Sequence, residues 1–127
     1  MGKLSQENAV KEAQEIIEAL GGSYDEERFS GFVQLVAAGR IRSDGSSVFF
    51  RLSRPVTFGG QTYQEVKISD PIRGAFLAAD IKINNLYSLD NETAASAVYC
   101  GQPKEFVASL PNADARKIAN DIVQIFL

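Results

Sequence analysis

The sequence predicts an α+β domain in which a small antiparallel β-sheet of two to three strands packs with four to five α-helices. Two period-two runs carry the sheet. Val48, Phe50 and Leu52 alternate with Phe49, Arg51 and Ser53; Thr62, Gln64, Val66 and Ile68 alternate with Tyr63, Glu65 and Lys67. Gly59-Gly60 stands between them and tolerates the positive φ angles that a tight antiparallel reversal needs. Outside this hairpin region (47–69) and a strand just before it, apolar residues recur at three- and four-residue spacing, the mark of helices with one buried face. A sheet this small needs such helices over one face to be stable.

Ser5 is placed to cap a first helix whose apolar face is Ala9, Val10, Ala13, Ile16, Ile17 and Leu20, with Gly21-Gly22 as its stop. That face either docks on the domain's own core or protrudes toward a partner or a second copy. Asp25-Glu26-Glu27 puts negative charge where a helix N-terminus favours it. Phe29, Phe32, Val33 and Val36, closed by Gly39, then predict a second helix, although Gly31 and the apolar run also suit a strand. Asp44-Gly45 is a two-residue hairpin signal, so strands are expected at 40–43, 47–54 and 61–69. Pro55, with no amide hydrogen, belongs at an edge or at the end of its strand.

After Pro71, residues Ile72, Phe76, Ala79 and Ile83 predict a helix ending at Asn84-Asn85, followed by a connector over 86–89. Asp90 or Asn91 is placed to cap the next helix, with a stripe of Ala94, Ala95, Val98 and Tyr99 and a stop at Gly101. Pro103 opens a short turn through Phe106 and Val107. Asn112 is placed to cap the last helix, whose apolar face is Ala115, Ile118, Ala119, Ile122, Val123 and Phe126. Ile125 and Leu127 fall outside that face and hint at an intermolecular contact.

A length of 127 residues suits one domain over 1–127, and 45% hydrophobic residues fill a core without metal or disulfide. The net charge of −3 gives no electrostatic case for nucleic acid or an anionic membrane. No apolar run approaches a bilayer span, and MGKLSQENAVKE has no signal-peptide core. The single cysteine, Cys100, excludes an intramolecular disulfide, so a cytoplasmic location is expected.

Chemistry is sparse. Without histidine there is no usual zinc set and no Ser-His-Asp or Cys-His arrangement. No Gly-rich phosphate loop occurs, and no cofactor is expected. Asp25-Glu26-Glu27 reads as a solvated helix start, and Asp114 and Asp121 as helix charge. Arg51, Arg54 and Arg73 read as a solvated strand face. The expectation is a protein that is not an enzyme.

The order of elements in residues 48–127 resembles the phage tail assembly chaperones of myophages and siphophages. The resemblance rests on Leu52-Ser53-Arg54-Pro55-Val56, Gly59-Gly60, Val66-Lys67-Ile68 and Pro71. It continues through Gly101 to Pro103, then Leu110, Asp114 and Ile118, and ends in Phe126-Leu127. Asp70 and Gly74-Ala75 stand where family members often carry an arginine and an acidic residue. Residues 1–47, a helical extension plus the first strand, lie outside it. The resemblance implies a non-enzymatic chaperone that binds the tail tape measure protein in the host cytoplasm and is absent from the mature virion. An apolar groove in residues 72–127 is the expected client site, with Phe76, Leu86, Tyr87, Phe106, Ile125 and Leu127 as contacts. The alternative is a small structural or regulatory tail or head-completion protein that forms a homo-oligomer through its first helix.

Overall fold

A computed structural model describes residues 4–71 and 89–126. Helix α1 (Gln6–Ala19) starts where Ser5 predicts, the Ser5 hydroxyl accepting from the Asn8 amide at 3.2 Å. Its face of Ala9, Ala13, Ile16 and Ile17 is buried in the common core, so the first helix docks rather than protrudes. Helix α2 (Ser30–Ala37) settles the helix-or-strand question at Phe32 to Val36 in favour of helix. The Asp25 carboxylate accepts from the Glu27 and Arg28 amides and shapes the turn before it. Gly39 then ends the helix at φ 75°, a left-handed angle that a side chain would resist.

Strands β1 (Ile41–Ser43), β2 (Ser47–Phe58) and β3 (Gln61–Ser69) form an antiparallel sheet in that order. Both central residues of the β2–β3 reversal take positive φ, 59° at Gly59 and 79° at Gly60, as a primed turn requires. The β1–β2 loop is wider than the two residues expected, because Asp44 builds it. Its carboxylate accepts from the Ser46 and Ser47 amides and the Ser46 hydroxyl, an Asx-type turn.

Strand β2 runs on through Pro55 rather than stopping before it. The register with β3 shifts between Arg51 and Val56, and Pro55 sits in the shifted stretch, beyond the reach of β1. That shift also corrects the expected alternation in β3. Val66 and Ile68 face the core as predicted, but at the far end Tyr63 turns inward against Phe106 while Thr62 and Gln64 are exposed.

Helix α3 (Leu89–Cys100) is described from before the expected caps, and it buries Ser96 and Ala97 as well as Ala94 and Tyr99. Helix α4 (Lys104–Ala108) drives Phe106 and Val107 into the core. Helix α5 (Asn112–Lys117) begins after Pro111, with Asn112 already inside it. It passes into a π-turn (Ile118–Ile122) and a 3-10 turn (Val123–Phe126). Among the described residues, five helices and three strands make the small α+β fold that the periodicities predict. The helix expected over 72–83 and the connector after it lie outside the described residues. Among those residues, no helix is long and apolar enough to cross a membrane.

Candidate functional site

Where β1 runs out, the edge of β2 is completed by side chains. The Arg51 amide donates to the Arg40 carbonyl at 2.8 Å, and the Arg40 Nε returns a bond to the Arg51 carbonyl at 3.0 Å. Two residues on, the Ser53 amide has no strand to meet and donates to Asp114 Oδ2 at 2.9 Å, joined by the Ser53 hydroxyl at 2.8 Å. Asp114 Oδ1 takes the Arg40 guanidinium at 2.9 Å. Pro55, two residues further, has no amide to leave unmatched. Asp114 thus stands in for a strand, and clamps the start of α5 to β2 and to the α2–β1 junction.

Sequence reasoning placed Asp114 in solvent, and that is corrected here, since it is 1% exposed. Burial pushes its carboxyl up, but the Ser53 amide, the Arg40 guanidinium and the Ser53 hydroxyl outweigh burial and hold it below the ordinary aspartate value. Arg40 also lies 4.6 Å from the centre of the buried Phe50 ring, which closes the core beneath the clamp.

Between α3, α4 and α5 lies a cleft of about 250 Å³. Val107, Leu110 and Ala115 form its apolar floor, the exposed Ala108 its edge, and Glu92 and Arg116 flank it. Of the contacts expected from sequence, neither Phe106 nor Ile125 lines it. Phe106 is fully buried beneath α4, edge-on to Phe58 at 5.4 Å and to Tyr63 at 4.9 Å. Ile125 is also core, at 4% exposure. The C-terminal helical segment buries a face turned toward Asp114, and Ile125 falls on it beside Gly22, whose missing side chain leaves room for the Ile125 carbonyl. These two residues are therefore corrected from partner contacts to core. Phe76, Leu86, Tyr87 and Leu127 lie outside the described residues.

A second close approach joins the π-turn to α2. A methyl group built on Gly31 would lie 2.2 Å from Asp121 Oδ1 and 2.6 Å from its Cγ. Burial pushes the Asp121 carboxyl above its ordinary value, against the pull of Lys117. Gly31→Ala must displace the Asp121 carboxylate, the movable end of a side chain, and it gains the helix propensity that glycine lacks, so the two effects oppose and the net change is expected to stay within about 1 kcal/mol. With Asp121→Ala in the same chain the clash is gone, and Gly31→Ala is expected to become stabilising, read as coupling in a double-mutant cycle by urea denaturation.

No family model, curated protein or solved structure matches this chain. What it does must be read from its own residues. Among the described residues, no cluster of three or more His, Cys, Asp or Glu side chains is placed to hold a metal ion. Burial pushes the Cys100 thiol up to about 12, which keeps it protonated and a poor nucleophile at neutral pH. A groove in residues 72–127 was expected, but the residues of this cleft were not identified, because its floor is built from several helices and no single helix stripe records it. The only sequence signal was the density of small residues around 94–97, 108 and 113–115.

Proposed function

We propose that this protein is a non-enzymatic chaperone of the phage tail assembly type, acting in the host cytoplasm and absent from the finished virion. It holds apolar helical segments of the tape measure protein while the tail is built. The observation that carries this reading is the cleft between α3, α4 and α5, in the part of the chain where the resemblance lies. Its apolar floor of Val107, Leu110 and Ala115 has room for an apolar anchor from a client helix. Glu92 and Arg116 carry opposite charges beside it, an arrangement that orients a helix bearing complementary charges. Phe106, though buried, supports the floor by fixing α4 to the hairpin.

Co-expression with the tape measure protein, followed by affinity pull-down and light scattering, tests this reading. The wild type is expected to keep the long protein in solution and co-purify with it. Ala108→Arg is expected to cut recovery of the complex ~10-fold or more by filling the cleft, the effect of losing one good anchor. Because Ala108 is exposed, circular dichroism and the urea midpoint should stay at wild-type values. Full client binding by Ala108→Arg would remove the cleft from the mechanism. A tape measure protein that stays insoluble and uncaptured would remove the chaperone reading itself.

A further inference from the structure

The outer face of the sheet, turned away from the core, is cationic. Arg42, Arg51 and Lys67 are exposed on the face that carries the half-buried ring of Phe49, and Arg54 is exposed further along β2, where the register shifts. Register places Arg42 and Lys67 on either side of Phe49. The Arg42 guanidinium stands 3.8 Å from the ring centre and the Lys67 ammonium 6.0 Å. Glu65, hydrogen-bonded to Arg42, is the carboxylate within this patch. Asp44 at its rim turns its carboxylate onto the amides of its own loop.

Helix α1 presents the opposite charge. Burial of Ala9, Ala13, Ile16 and Ile17 fixes its inner side, so Glu7, Glu15 and Glu18 look outward with Glu12 beside them, against Lys11. The two patches also match in length. Glu7 to Glu18 spans ~16 Å at the helical rise, and Phe49 to Arg54 spans ~16 Å at the strand rise. The sheet face keeps a cationic excess although Glu65 and Asp44 lie beside its basic groups, and the outer side of α1 keeps an acidic excess although it carries Lys11.

We propose that the acidic face of α1 in one copy docks on the cationic outer face of the sheet in a second copy. Every copy carries both surfaces, so the contact either closes reciprocally in a two-fold dimer or joins copies head to tail. Charge complementarity selects this occupant. A nucleic acid would gain the same arginines but would also meet the repulsion of an acidic chain, whereas a second copy brings a matched anionic strip. The contact uses neither the cleft nor any client, so it holds or fails independently of the chaperone reading.

Sedimentation velocity of the full chain, at about 50 mM and about 500 mM salt, reads the contact because screening of exposed charges rises sharply over that range. Assemblies larger than the monomer are expected at low salt, dissolving to monomer at high salt. Arg51→Glu with Arg54→Glu, and separately Glu15→Arg with Glu18→Arg, should each stay monomeric with wild-type circular dichroism. Mixed in equal amounts, the two variants should associate again, since the reversed sheet of one matches the reversed helix of the other. A wild type that is monomeric at low salt overturns the proposal, as does failure of the mixed variants to recover association. Binding of a labelled single-stranded oligonucleotide by the wild type, lost in Arg51→Glu with Arg54→Glu, would assign the face to nucleic acid instead.

Discussion

Asp114→Ala is expected to lower the unfolding free energy by about 3 kcal/mol, the scale seen when one partner of a buried ion pair is removed. The loss has two sources. Arg40, largely covered, loses the carboxylate that neutralises it, and the Ser53 amide and hydroxyl lose their shared acceptor. Urea denaturation at neutral pH measures it. Asp114→Asn keeps one acceptor oxygen and should lose less; Arg40→Met with Asp114→Leu, which removes both charges, should lose less than Asp114→Ala. The pH dependence has a fixed sign. The folded-state pKa of Asp114 lies below its unfolded value, so its contribution is complete above the unfolded pKa and is lost as pH falls through the folded one. Wild type should therefore weaken in acid, below the ordinary aspartate range, more steeply than Asp114→Asn. Equal acid slopes would remove the carboxylate from the stability of the clamp.

Local patterns in the sequence led to those parts of the fold that local physics decides. Ser5 caps α1 because a hydroxyl there reaches an amide three residues on. Gly59-Gly60 turns the chain because two adjacent residues must take positive φ. The rest depends on partners distant in the chain. Asp114 looks like surface charge in every window of its own helix, and only the end of β1 and the free amide of Ser53, 61 residues away, make it structural. Ile125 was displaced for a similar reason. A straight-helix stripe excluded it, whereas the buried face of the C-terminal segment is turned toward Asp114 and packs on Gly22. The register shift between Arg51 and Val56 hid the inward turn of Tyr63, since strict alternation put that residue on the opposite face. The candidate cleft was the least legible feature, being a gap between three helices rather than a property of one.

Phe106→Ala is the other large effect, and it separates core from client contact. Phe106 is fully buried, and its ring lies edge-on to Phe58 and Tyr63 across the far end of the hairpin. Truncating a buried phenylalanine costs about 3–5 kcal/mol through lost transfer energy and the cavity left behind. For a domain whose whole stability is about 5–15 kcal/mol, that is enough to populate the unfolded chain near physiological temperature. The loss should be concentrated in space as well. Helix α4 has five residues and too few hydrogen bonds to persist alone, so its hold on residues 56–63 runs through this ring. Hydrogen exchange in the variant should accelerate first in that part of the hairpin and in α4, while β1 and the paired half of β2 keep more protection. Phe106→Leu, which keeps most of the volume, should fall between wild type and alanine. If Phe106→Ala instead kept the wild-type urea midpoint and lost only the proposed client binding, the ring would be a surface contact and α4 would not be held through it.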